Sequence, residues 1–390
     1  MNYVYSLTNF AAKIHGIPTE QVYSGKQGQE CVEIKDQKDA LNFKNRITQL
    51  LLKYQEQSSI LDPMIGDIVE PLMRLIQIHT KMACKSGNHT IPQEVAQLYE
   101  ILYNLCNVRG FKIVVKFFPH EAADMEPCVE LLHFQSSPNY WITCILCLWL
   151  SMIVIVPFDI NTIDSKKEGD TYEILVKRIL NIGKEHIASP GKVRDYASVM
   201  VSKLITRPDV IRMGETKQFL TYLAQKFLEL KEETNSMFAV SGLLQTLVEI
   251  FKIGHREDFL GLIDIVFEPV IMSTVENKFM AKSSIMRKNR VKLAQRIGCI
   301  FLKPRIASWR YQRGSRTLSH LSNQQNVTKH DQPAAEDEEM LDQDEIDFEK
   351  LEYIIQVLLE SLKDEENSVR WAAAKGLGRI TQRLTKDFAD

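Results

Sequence analysis

Two short stretches of this sequence hold side chains at spacings that chemistry uses. His120-Glu121-Ala122-Ala123-Asp124 is half of the H-E-x-x-H pattern, in which two histidines one helical turn apart bind zinc and the glutamate acts as general base. Aspartate stands where the second histidine belongs, no third ligand is evident, and Pro119 marks the stretch as a helix start. Cys144-Ile145-Leu146-Cys147 has the spacing of a redox pair, but it lies inside the most apolar helical pattern of the chain, where burial raises a thiol's pKa. Neither a G-x-x-x-x-G-K-S/T or G-x-G-x-x-G phosphate cradle nor a G-x-S-x-G nucleophile elbow is present. No catalytic residue, metal set or cofactor site is expected, and extended surfaces are what the chain offers instead.

Charge is the other chemistry available. From Asn277 to His330 there are 13 Lys or Arg and no acid; from Asp331 to Glu349 there are ten acids and no Lys or Arg. Lys288, Lys292 and Arg296 recur every fourth residue, which places them in one stripe beside the apolar face of Met286, Leu293, Ile297 and Ile300. Lys303, Arg305, Arg310 and Arg313 extend the stripe, with Trp309 and Tyr311 among them. These nine cationic and aromatic residues are the expected partner-binding set. Three readings compete: a solvated helix face followed by a polyampholyte, a docking surface for an acidic protein that the acidic block covers when empty, and a nucleic-acid surface. No recognised nucleic-acid motif supports the last, so no nucleic-acid partner is expected.

The elements that carry these residues are helices. Leu351, Ile354, Ile355, Leu358, Leu359 and Leu362 recur at helical spacing, Lys363-Asp364-Glu365-Glu366-Asn367 interrupts them, and Val369, Ala373, Leu377 and Ile380 resume the pattern. Ser368 or Asn367 is placed to cap the second helix, and Arg370 to reach back toward Asp364. Asp364, Val369, Arg370, Ala373 and Leu377 fit D-x-x-x-x-V-R-x-x-A-A-x-x-L-G, a pattern that resembles the HEAT repeat. Such a hairpin cannot bury its stripe alone and needs similar neighbours stacked beside it.

Further stripes cover Ile65–Ile76, Val95–Leu105, Tyr172–Ile187, Val193–Ile205, Lys217–Leu230, Met237–Ile253, Asp258–Thr274 and Ile285–Phe301, with prolines mostly between them. Strand signals are nearly absent, so the expected fold is an all-α HEAT/armadillo-type solenoid of stacked antiparallel hairpins. The expected organisation is a weakly patterned leader over 1–38, a helical array over 39–307, a flexible basic-to-acidic insertion over 308–347 and a hairpin over 348–390. With 45% apolar and 25% charged residues and a net charge of -2, the 390-residue chain has the composition of a folded globular protein. Seven scattered cysteines and the absence of a signal-peptide pattern point to reduced thiols in the cytoplasm. Trp141 to Phe158 runs 18 residues without a charge, but Thr143, Ser151 and Pro157 dilute it, and burial in the array is favoured over membrane insertion.

Several segments taken together resemble the tubulin-folding cofactor D family. They are Lys53-Tyr54-Gln55-Glu56-Gln57 with Leu61-Asp62-Pro63; Val108-Arg109-Gly110-Phe111-Lys112 with Phe118-Pro119-His120-Glu121; and Leu148-Trp149-Leu150-Ser151 leading to Pro157-Phe158-Asp159. Further on come Ile205-Thr206-Arg207-Pro208-Asp209-Val210, Phe301-Leu302-Lys303-Pro304 with Trp309-Arg310-Tyr311-Gln312-Arg313-Gly314, and Val369-Arg370-Trp371-Ala372-Ala373-Ala374-Lys375-Gly376. The resemblance runs in order over about Ala40 to Ala389 and corresponds to the amino-terminal third of family members. It implies a helical-repeat chaperone that holds β-tubulin while the αβ-heterodimer is assembled, together with other tubulin-folding cofactors. It also implies an ADP-ribosylation-factor-like small GTPase as a partner, and help in stimulating GTP hydrolysis by tubulin. A generic helical-repeat adaptor of the nuclear-transport or scaffold type is the alternative.

Overall fold

Helical spacing becomes helix almost throughout. In the computed structural model, which describes residues 37–134, 139–165, 174–230, 237–273, 280, 282–304 and 347–384, the helices of nine or more residues number twelve. They are α1 Gln37–Lys53, α2 Ile65–Ser86, α3 Gln93–Leu105, α4 Met125–His133, α5 Tyr140–Ile153, α6 Leu175–Ile187, α7 Lys192–Ile205, α8 Glu215–Glu229, α9 Met237–Ile253, α10 Ser284–Phe301, α11 Phe348–Ser361 and α12 Asn367–Thr381. Among the described residues there is no strand, and the fold is all-α. The helix expected over Asp258–Thr274 is broken into Arg256–Phe259, a 3-10 turn at Leu260–Leu262, Asp264–Val266 and a π-helical stretch at Phe267–Met272. Gly261 weakens a helix, and Pro269 has no N–H to donate.

By its contacts the chain divides into two units, 1–254 with 265–279, and 255–264 with 280–390. In the first unit the repeat is visible as a constant residue separation between neighbouring helices. Lys44 Nζ meets Glu100 Oε1 at 3.0 Å and Asn104 Nδ2 donates to Thr48 Oγ1 at 3.4 Å, both 56 residues apart, so α1 and α3 run parallel. Ser198 Oγ and Thr246 Oγ1 lie 2.9 Å apart across α7 and α9 at a separation of 48. The same separation relates Arg194 to Gly242, so these helices are parallel as well. Lys203 on α7 reaches Ser151 on α5, 52 residues earlier. A second row repeats the arrangement: Gln77 and Cys84 on α2 donate to Asp124 and to Glu130 of α4, 47 and 46 residues on.

The core sits between the rows. In α5 every residue from Ile142 to Ser151 is buried, and the Trp149 indole N–H donates to the Pro119 carbonyl at 2.8 Å, which satisfies the one polar atom of a fully buried ring. The uncharged run is thus a core helix as far as Ile153 and a loop beyond it, and among the described residues no helix is long and apolar enough to cross a membrane. At Gly242 any Cβ would stand 1.9 Å from the Ile187 carbonyl oxygen, so only glycine lets α9 approach the end of α6.

The second unit gathers α10, α11 and α12. Helix α10, expected within the 39–307 array, packs here against the final hairpin. Gly298 of α10 faces Ile380 and Ile354, and Gly376 of α12 faces Gln295 and Leu358; in both places a missing side chain allows close approach.

Candidate interaction surface

The Asp364 turn is where the second unit concentrates charge. Helix α10 brings Arg287 to it: Nε donates to Asp364 Oδ2 at 2.7 Å and Nη2 to Oδ1 at 3.1 Å, a two-pronged pair across 77 residues. The guanidinium of Arg287, opposed by partial burial, holds the Asp364 carboxyl below the usual range. Arg370 does reach back, but to the backbone: Nη1 donates to the carbonyls of Asp364 at 2.6 Å and Glu365 at 2.7 Å, and Nη2 to Asn367 Oδ1. The expected side-chain pair is therefore replaced by a clasp on the turn, because Arg287 already occupies both carboxylate oxygens. The expected cap is absent too. Helix α12 starts at Asn367 with Glu366 in the cap position and no side-chain cap bond, since the Asn367 oxygen is taken by Arg370.

Val369 and Ala373 are fully buried and Leu377 is half-buried, so these three form the inner face of α12. On α10, Lys288, Lys292 and Arg296 share one side and are half-buried beside the buried Met286, Leu293 and Ile297, while Lys303 is exposed after the helix ends. Lys292, Arg296 and Lys303 also carry interactions of their own within the chain. The stripe can offer cations at one-turn spacing to a negative partner, with its stems lying along apolar surface. Arg305, Trp309, Arg310, Tyr311 and Arg313 lie outside the described residues. One residue that periodicity did not single out as surface is Trp371, 73% exposed on α12; it stands two positions after the buried Val369, which turns it to the opposite side.

In the first unit the half-motif at His120 is consumed by structure. Asp124, 1% exposed at its side chain, accepts from Gln77 Nε2 at 2.6 Å and pairs with Lys81 Nζ at 2.8 Å. Burial, only partly offset by Lys81 and Gln77, keeps its carboxyl above the ordinary value. Cys144 is pushed up to about 12 by burial, and Cys147, more deeply buried, goes well above its usual value. Among the described residues no group of three or more His, Cys, Asp or Glu is placed to hold a metal ion.

Two family models match this chain. "Tubulin-specific chaperone D-like, ARM repeat" covers residues 51–227 and "Tubulin-specific chaperone D-like, ARM repeats" covers 285–390. The chain belongs to the tubulin-specific chaperone D-like family. Curated relatives include tubulin-specific chaperone D of Dictyostelium discoideum, 26% identical over 88% of this chain and 30% of the relative. Tubulin-folding cofactor D of Schizosaccharomyces pombe is 24% identical over 95% of this chain and 30% of the relative. The chain thus spans about 30% of the length of each. A solved engineered protein is similar at 13% identity and TM-score 0.38, covering 98% of this chain and 84% of that one.

The segments by which the chain resembles the chaperone D-like family meet one another in space. Arg109 of Val108-Arg109-Gly110 pairs with Asp62 of Leu61-Asp62-Pro63, Nη2 to Oδ2 at 2.8 Å. Trp149 binds the carbonyl of Pro119, as above. Arg207 spans the next junction: Nη1 donates to the Val154 and Val156 carbonyls at 2.5 and 2.8 Å, Nη2 to the Phe158 carbonyl at 2.6 Å, and Nε and Nη2 hold Asp209 at 2.9 and 2.8 Å. Burial alone would raise the Asp209 carboxyl, but Arg207 and the amides of Ile160 and Val210 outweigh it and hold it low. Sequence reasoning missed these clamps; the arginine–proline–aspartate order was their one local signal.

Proposed function

We propose that the chain is a segment of a tubulin chaperone, which binds β-tubulin while the αβ-heterodimer is assembled and acts by grip rather than by covalent chemistry. Membership of the chaperone D-like family, with model matches in both units, is the observation that carries this reading. Stacked parallel helices suit it, since each adds surface to a continuous face. In the same reading the segment works in the cytoplasm, beside the microtubule cytoskeleton, with other tubulin-folding cofactors. It helps their complex promote GTP hydrolysis by tubulin and engages an ADP-ribosylation-factor-like small GTPase.

The α10 stripe is the proposed contact for an acidic surface of tubulin. Capture of purified tubulin by the full chain tests the function, and no capture by the unaltered chain refutes it for this segment. Reversing Lys288, Lys292, Arg296 and Arg310 to glutamate is expected to abolish salt-sensitive capture with circular dichroism unchanged. Undiminished capture removes the stripe from the proposal. Because the α10 side chains are half-buried, the corresponding glutamine variant replaces the glutamate one if helicity is lost.

A further inference from the structure

Helices α5, α7 and α9 are neighbours in the first unit, and the contacts that join them bring their carboxy-terminal ends together. Lys203, in the last turn of α7, lies against the end of α5: its Nζ has the Ser151 hydroxyl and the Met152 sulfur as neighbours, both at 3.4 Å. The first is long for an ammonium–oxygen contact, the second reaches only a weak thioether acceptor, and neither neighbour is charged. Lys252 at the end of α9 acts on Lys203 as a like charge, and is itself bound to Glu249. Burial first, and Lys252 second, depress the Lys203 pKa, the opposite of what a lysine gains from a carboxylate partner. The helix ends supply partial negative charge, which compensates a cation only in part.

The same end of the unit presents large apolar side chains. Ile155 is 52% and Phe158 59% exposed, on the loop that leaves α5. That loop is pinned by Arg207, one turn beyond Lys203, through the carbonyls of Val154, Val156 and Phe158. Among the described residues no carboxylate pairs with Lys203, so an uncompensated cation stands beside a pinned, exposed apolar loop.

We infer that the carboxy-terminal ends of α5, α7 and α9 form a docking surface for an acidic, apolar-studded peptide segment of a partner protein, with Lys203 as the principal charge contact, Lys252 as the second, and Ile155 and Phe158 taking the apolar side chains. Charge complementarity selects the acidic residues. The flanking apolar pair favours a peptide over a nucleic acid or a free phosphate. This surface is separate from the α10 stripe and does not require the partner to be tubulin.

The test is fluorescence anisotropy of the full chain with a labelled peptide of alternating glutamate and leucine pairs, against its glutamine counterpart. Binding is expected for the glutamate peptide alone and is expected to weaken with salt. Lys203→Met should weaken it by about tenfold while raising Tm, because the methionine fills the same space without a charge to desolvate. The double variant Ile155→Ser, Phe158→Ser should weaken it by about fivefold, with Tm unchanged. Lys53→Met, the same charge change on α1, should leave affinity within about twofold. The inference is overturned if Lys203→Met binds as tightly as the unaltered chain or loses Tm. It is likewise overturned if Lys53→Met weakens binding equally, or if oligothymidylate or inorganic phosphate displaces the peptide at equal concentration.

Discussion

Arg207 reaches five oxygen contacts across three carbonyls and one carboxylate, a task that a planar fork of donors performs and a single ammonium cannot. Its partner Asp209 is 6% exposed, so removing the arginine strands a buried charge as well as three carbonyls. Arg207→Ala is expected to cost about 3–5 kcal/mol in urea denaturation, and Arg207→Lys to recover less than half of it. The pH dependence has a definite sign. Because Asp209 is held below its ordinary value in the fold, its contribution is full above the unfolded carboxyl pKa of about 4 and is lost as pH falls through the folded value. The stability gap between the unaltered chain and Asp209→Asn should therefore narrow below about pH 4, and a gap that widens there would contradict the assignment. Asp124, held high by burial, works in the other direction: protonation favours the fold.

At the scale of elements, close approach of helices decides stability more than propensity does. Gly242→Ala would drive a methyl into a backbone carbonyl that cannot yield, and is expected to cost about 3 kcal/mol or more. Gly298→Ala meets side chains alone, the terminal methyl of Ile380 at 2.9 Å and a methyl of Ile354 at 3.2 Å, and should cost about 1 kcal/mol, because side chains yield where a backbone carbonyl does not. Equal losses for the two would show that the approach of α9 to α6 is not backbone-limited. In the second unit, a double-mutant cycle on Arg287→Ala and Asp364→Asn should give a coupling of about 1–3 kcal/mol. The cycle on Arg370→Ala and Asp364→Asn should give under about 0.5 kcal/mol, since Arg370 holds backbone oxygens.

For the molecule as a whole, the two units carry the same device, a helix laid parallel to its counterpart one repeat later. Protection should follow burial. In hydrogen exchange the amides of Ile142–Leu150 are expected to be the slowest in the first unit, and those of Lys44–Lys53 in α1, where only Leu51 is buried, among the fastest. Exchange from α5 as fast as from α1 would contradict a core centred there.

The sequence by itself determined that the chain is helical and that Cys144 and Cys147 lie within an apolar helix. Periods of 3.6 residues and the apolar setting of Cys144 and Cys147 are local properties, readable within one turn or two. The family resemblance was legible as well, but not what its segments do. Only the tertiary structure decided that Asp62 meets Arg109, that Trp149 meets Pro119, and that Asp364 is held by Arg287 rather than by Arg370. A local pattern fixes which face of a helix is apolar. The partner across 30 to 80 residues depends on how the repeats register against one another, and that is settled by packing rather than by spacing.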